Sequence, residues 1–220
     1  MSDSGAPHAG TRGEEEAAGR GRPLGGRTAE PNFGEATVKV LGGLELDSVA
    51  AGFVALDAMA KKAPLRILEV RTVCPGKYLI LVTGSEASVE AAIDAGARAH
   101  PECLIESLYL PNAHPDLWSS LRRDAPGSAT DAIGILEAFS LLAAIDAADS
   151  AAKAARVNLL HIRWGDEMGG KASAKLVGPI AEIEAAVAAG KERLSERGRL
   201  CRVTIIPRPD VTVAGYILRG

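Results

Sequence analysis

The chain has 220 residues, enough for one large domain or two of about 100 residues each. Hydrophobic residues make up 47% and the mean hydropathy is +0.08, which fits a well-cored globular protein and argues against disorder over most of the length. With 25 basic and 28 acidic residues the net charge is -3, and aromatics reach only 4%, so no electrostatic or stacking case exists for a nucleic-acid partner.

The N-terminal stretch, residues 1–35, is rich in Gly, Glu, Arg and Ala and ends in "GGRTAEPNFGE". It has too few apolar residues to offset the entropy of ordering, so it reads as a flexible tail. It also lacks the apolar centre of a secretory signal, and no run in the chain approaches the roughly 20 apolar residues that cross a bilayer. Three cysteines, Cys74, Cys103 and Cys201, form no C-x-x-C pair, which suits a reducing cytoplasm.

Beyond the tail the sequence repeats. "GGLELDSVAAGFVALDAMAKKAPLRILEVR" runs beside "GILEAFSLLAAIDAADSAAKAARVNLLHIR" at an offset of 92, matching Glu45 with Glu137, Ser48 with Ser140, Asp57 with Asp149, Lys61 with Lys153 and Arg71 with Arg163. After two inserted residues, "GKYLILVTGSEASVEAAIDAG" resumes against "GKASAKLVGPIAEIEAAVAAG" at an offset of 94, matching Lys77 with Lys171 and Gly96 with Gly190. Both copies end in a strand-like run into proline, "LIESLYLPNAHP" and "RVTIIPRP". The connection "SSLRRDAPGSATD" has the Pro-Gly-Ser composition of a linker, so the chain is a tandem duplication.

Each copy reads strand, helix, strand, turn, strand, helix, strand. Val49, Phe53, Leu56 and Met59 mark the apolar face of the first helix, and Val89, Ala92 and Ile93 that of the second. Gly96 and Gly190 are expected at helix C-termini. Runs such as 78–82 are β-branched and apolar enough for strands. Helices on one face of an antiparallel sheet give an α+β class with ferredoxin-like units.

No H-E-x-x-H, G-x-S-x-G, P-loop or G-x-G-x-x-G pattern is present, so catalysis is not expected. His8 lies in the tail, His100 and His114 each precede a proline, and His161 reads as a strand residue on the less buried side. Asp57 and Asp149 recur at one helical position, which suggests a structural role. The turns carry more information. "TVCPGK" sets Cys74 between two strands, where a thiol fills no core; "WGDEMGGK" is the longer counterpart. If copies ring an axis at this turn, three Cys74 thiols meet as a ligand set for an iron–sulfur cluster with one iron left open. Cys103 and Cys201 lack that context, and Cys201, alternating in "RLCRVTII", reads as a small buried hydrophobe.

With "LDAMAKKA", "VCPGKYLILVTG", "VEAAIDAG" and "VTIIPRP" in hand, each copy resembles the bacterial microcompartment (BMC) shell-protein domain, and the pair resembles a tandem-domain shell protein over about residues 40–214. "TVCPGKYL" is further similar to the propanediol-utilisation subgroup, in which a pore cysteine binds a [4Fe-4S] cluster on the threefold axis. The resemblance implies a first BMC domain over 36–118, a linker over 119–130 and a second BMC domain over 131–220. It implies a homotrimer that mimics a hexamer and tiles with other shell proteins around encapsulated enzymes, in a microcompartment shell in the cytoplasm. By residue, it puts Cys74, Pro75 and Gly76 in the pore turn of the first copy, and Asp166, Glu167, Met168, Gly169 and Gly170 in that of the second. Cys74 becomes the single metal ligand per chain, three per trimer. Lys61 and Lys153 match the tile-edge lysine and Arg208 the arginine beside it, whereas the first copy carries Asn112 there. Asp166 and Glu167 depart from the more apolar residues of related chains; six carboxylates per trimer would oppose anions and metal binding at Cys74. A different class, a regulator that binds small molecules through duplicated ferredoxin-like units, fits the fold but explains neither the recurring edge lysines nor the pore glycines.

Overall fold

A computed structural model of the chain describes residues 39–122, 131–165 and 168–219; the tail read over 1–35 and most of the 119–130 connection lie outside these. The first half runs β1 (Leu41–Leu46), α1 (Val49–Lys62), β2 (Arg66–Val73), β3 (Lys77–Thr83), α2 (Glu86–Ala99), a 3-10 turn (Pro101–Cys103), β4 (Leu104–Leu110) and α3 (Asp116–Arg122). The second half repeats it with β5 (Ala132–Ala138), α4 (Leu141–Ala154), β6 (Asn158–Trp164), β7 (Ala172–Gly178), α5 (Ile180–Glu196), β8 (Leu200–Pro207) and α6 (Val211–Arg219). Each half forms one four-stranded antiparallel sheet, in the orders β2-β3-β1-β4 and β6-β7-β5-β8. The expected α+β class with a helix-backed antiparallel sheet is therefore present twice.

The repeat extends to local detail at the starts of α1 and α4. Ser48 and Ser140 cap α1 and α4 by accepting from Ala51 N and Ala143 N. His114 Nδ1 accepts from Asp116 N, just as Asp210 Oδ1 accepts from Thr212 N, so α3 and α6 are counterparts too. Both short helices were missed in the sequence reading, which took 119–122 for linker. Those residues close α3, with Ser120 and Leu121 buried.

Three further expectations are corrected. Gly96 and Gly190 lie inside α2 and α5, where a Cβ would come within 2.6 Å of Leu44 and Met59 or 2.5 Å of Leu136; these glycines let the helices approach their sheets closely. On α1 the core face is Ala51, Gly52, Ala55 and Met59, because Gly52 sits against the Tyr78 ring and only small residues fit there. Phe53 is consequently left exposed. His161 is buried rather than turned to the open side.

Each sheet packs its own helices on one face. Leu44, Tyr78, Ile80 and Val82 meet α1 and α2. The other face of the first sheet, with Leu41, Leu79, Leu81 and Leu108, packs against α4 of the second half in one continuous core. That face-on-helix contact is the seam between the two halves.

Candidate functional site

The seam is built around Glu45, near the C-terminal end of β1. Its Oε1 pairs with Lys77 Nζ at 2.7 Å, and its Oε2 accepts from Ser140 Oγ at 2.6 Å and Leu141 N at 3.1 Å. Lys77 Nζ also donates to Phe139 O at 3.1 Å and Gly170 O at 3.0 Å. A buried carboxylate here offsets its desolvation by holding the positive end of α4, whose first N–H groups have no partner within the helix. Glu106 of β4 takes Arg197 Nη1 at 2.7 Å and Arg199 Nε at 3.0 Å, and Arg197 reaches on to Asp146 of α4. Asp149 accepts from His114 N at 2.7 Å, so the recurring aspartate does more than pair with Lys153. The Arg71 guanidinium stacks over Trp164 with its carbon 4.5 Å from the ring centroid.

The same seam brings the two candidate pore turns together. Cys74, Pro75 and Gly76 form the β2–β3 turn, with the Cys74–Pro75 peptide cis and Gly76 at φ 97°, a conformation only glycine adopts readily. Met168, Gly169 and Gly170 belong to the β6–β7 turn, and a Cβ on Gly170 would lie 3.0 Å from Pro75 Cδ. The turns are thus in contact at one end of the molecule. Asp166 and Glu167, expected beside them, lie outside the described residues. Cys74 is exposed at the turn. Among the described residues no group of three His, Cys, Asp or Glu is gathered to hold a metal within one chain. An exposed thiol at a turn tip, one per chain, fits a cluster only if several copies contribute.

Of the expected edge residues, Lys61 is well exposed and pairs with Asp57 at 2.6 Å, Lys153 is half-exposed and pairs with Asp149 at 2.5 Å, and Arg208 is exposed with a positive φ of 46°. Cys201, expected as a buried hydrophobe, is only partly buried, and burial followed by the Glu137 carboxylate pushes its thiol up. Glu137 itself repeats Glu45. It pairs with Lys171 at 2.7 Å, and that hydrogen bond holds its carboxyl below the ordinary carboxylate range. Among the described residues no helix start donates to Glu137 as that of α4 donates to Glu45. The recurrence of Glu45 and Lys77 as Glu137 and Lys171 was visible in the sequence; their pairing across the sheet was the unread signal.

A twofold-repeated antiparallel unit, with its β2–β3 and β6–β7 turns side by side and its halves joined face to helix, defines a duplicated shell-type module. The chain belongs to the BMC-domain family, whose model matches residues 40–113 and again 132–209. Bacterial microcompartment shell protein PduT from Citrobacter freundii is 34% identical over 182 residues, 83% of this chain and 99% of that protein. EutM from Salmonella typhimurium, another shell protein, is 38% identical over 79 residues, 36% of this chain and 80% of its own length, so it corresponds to one half. The crystal structure of a microcompartment protein from Desulfitobacterium hafniense superposes with a TM-score of 0.69 at 39% identity, covering 80% of this chain and 98% of that one. No helix among the described residues is long and apolar enough to cross a membrane.

Proposed function

We propose that the protein is a non-catalytic shell tile: three copies close into a ring of six BMC domains around the pore turns, within the shell of a bacterial microcompartment in the cytoplasm. Its partners are its own copies, other shell proteins and the enclosed enzymes. The observation that carries this reading is the pattern of exposed apolar side chains. Phe53 is 53% exposed while its counterpart Ile145 is 0%; Ile67 is 49% against 1% for Leu159; Tyr216 is 74% against 0% for Ser120. Each counterpart is buried where the halves of one chain meet. A second copy presenting its second half to the α1 side would cover all three, and such a head-to-tail contact repeats until the ring closes.

The two seams are also complementary in opposite senses. Within the chain, Leu142 packs on Gly43. Their counterparts are Ala50, exposed, and Ile135, partly buried, so the bulk changes sides and the summed volume is kept. Conversion of Lys61 and Lys153 to Asp is expected to leave the trimer mass unchanged and abolish sheets formed with sibling shell proteins, scored by electron microscopy. Sheets of normal order in the double variant would remove both lysines from the tile edge.

At the axis, three Cys74 thiolates would hold a [4Fe-4S] cluster, which supplies one-electron transfer across the shell. The chain's own part is to present the thiol on a glycine-hinged turn fixed by Lys77 and the neighbouring Gly170. Protein purified without oxygen is expected to contain about four irons and four sulfides per three chains, absent in Cys74→Ser. Iron at background level in both samples would leave the turn as a pore lining for small solutes.

A further inference from the structure

We infer that Glu137, with Lys171, clamps the start of α1 in the next copy, as Glu45 with Lys77 clamps the start of α4 within the chain. This rests on the ring proposed above, and it names the polar contact that joins one copy to the next.

The same ion pair occurs twice. Glu45 lies opposite Leu79 of β3, two residues past Lys77, and Glu137 lies opposite Ser173 of β7, two residues past Lys171. Each carboxylate takes its lysine at 2.7 Å. What differs is the cover. The Glu45 side chain is 5% exposed beneath the start of α4, whereas that of Glu137 is 27% exposed, and Lys171 is likewise more open than Lys77.

The groups that Glu45 and Lys77 engage have counterparts too, and these lie at the start of α1 and in the β2–β3 turn. Ser140 and Leu141, which donate to Glu45, match Ser48 and Val49. Phe139 and Gly170, whose carbonyls take Lys77, match Asp47 and Gly76. Ser140 and Leu141 are buried, while Asp47 is exposed and Ser48 and Val49 are only partly buried. Gly170 is packed by Pro75 and Lys77, but Gly76 has open space where a side chain would begin. Neither α1 nor α4 carries an acidic residue in its first turn, although α2 and α5 do. For α4 the negative charge comes from Glu45 of the other half. For α1 it comes from Glu137 of another copy, drawn by the positive end of the helix. Lys171 then donates to the carbonyls of Asp47 and Gly76. Because the clamp and the helix start it grips sit on opposite halves, the contact runs head to tail.

The test is sedimentation of the full chain over a concentration series, with thermal unfolding of the dilute chain alongside. Glu137→Ala removes the acceptor, and a hydrogen bond to a charged group is worth about tenfold to hundredfold in each seam, so trimer should give way to monomer. Ser48→Asp keeps a good N-cap for α1 but sets a carboxylate against Glu137. It should likewise sediment as monomer, with the melting point of the dilute chain unchanged. Adding Glu137→Gln to Ser48→Asp replaces the repulsion by an amide that donates to the new carboxylate, and trimer should return. Trimers of undiminished strength in Glu137→Ala, or a Ser48→Asp defect that Glu137→Gln leaves in place, overturn the clamp while the ring stands. A wild-type chain that is monomeric at every concentration removes the ring, and the clamp with it.

Discussion

Replacing Glu45 by alanine is expected to destabilise the chain by about 3–5 kcal/mol, the usual cost of removing one partner from a buried ion pair. Lys77 would keep its charge in a site where its remaining contacts are the carbonyls of Phe139 and Gly170. Ser140 Oγ and Leu141 N would lose their acceptor at the start of α4. For a chain of this size each kcal/mol shifts the melting temperature by about 2–4 °C, so the melting point should fall by roughly 10 °C. Glu137→Ala is the internal control. Its pair with Lys171 is half-exposed, and exposed pairs contribute about 1 kcal/mol or less. Measured on dilute, monomeric protein by thermal unfolding, the two variants should differ severalfold in their effect. Equal shifts would mean that Glu45 does not clamp the seam.

Much of the architecture was legible because the duplication tests each assignment against its copy. Runs such as 78–82 and 172–178 are strands in both halves, and the two helices per copy fall where apolar spacing put them. The features that local pattern did not reveal have separate physical causes. Phe53 looked like a core residue because it is apolar and in phase with Val49 and Leu56. The close approach of Gly52 to Tyr78 rotates the small residues inward and leaves Phe53 outside. Gly96 and Gly190 resembled helix ends because glycine usually does that work, whereas here they sit in contact with Leu44 and Leu136. The short helices α3 and α6 carry too few residues for periodicity to register. The partnership of Glu45 with the α4 cap spans 95 residues, a distance no local pattern reaches.

The seam face of the first sheet and the corresponding face of the second carry unlike residues. Glu106 binds two arginines inside the chain, and its counterpart in the β5–β8 register is Arg202, which is exposed. Leu81 packs under α4, and its counterpart is Lys175, whose ammonium is lowered by burial and then by Arg163.

Ala50→Arg is expected to dissolve the ring while leaving the monomer intact. Ala50 is exposed in the chain, on the face of α1 away from its core, so the substitution costs little within one copy. In the proposed ring it would face Ile135 of the next copy, as Leu142 faces Gly43 inside the chain. A guanidinium there would be forced against the Ile135 side chain and desolvated, at a cost of several kcal/mol per seam. Each 1.4 kcal/mol weakens a contact tenfold, and all three seams of a closed ring are struck at once. Sedimentation at micromolar concentration should therefore show monomer in place of trimer, with the far-UV circular dichroism and melting point of the dilute chain unchanged. The reciprocal change, Ile135→Gly, removes bulk from the other side and should weaken the ring without adding charge. If Ala50→Arg sedimented as a stable trimer, the α1 face would lie outside the contact between copies, and the exposure of Phe53 would need another explanation.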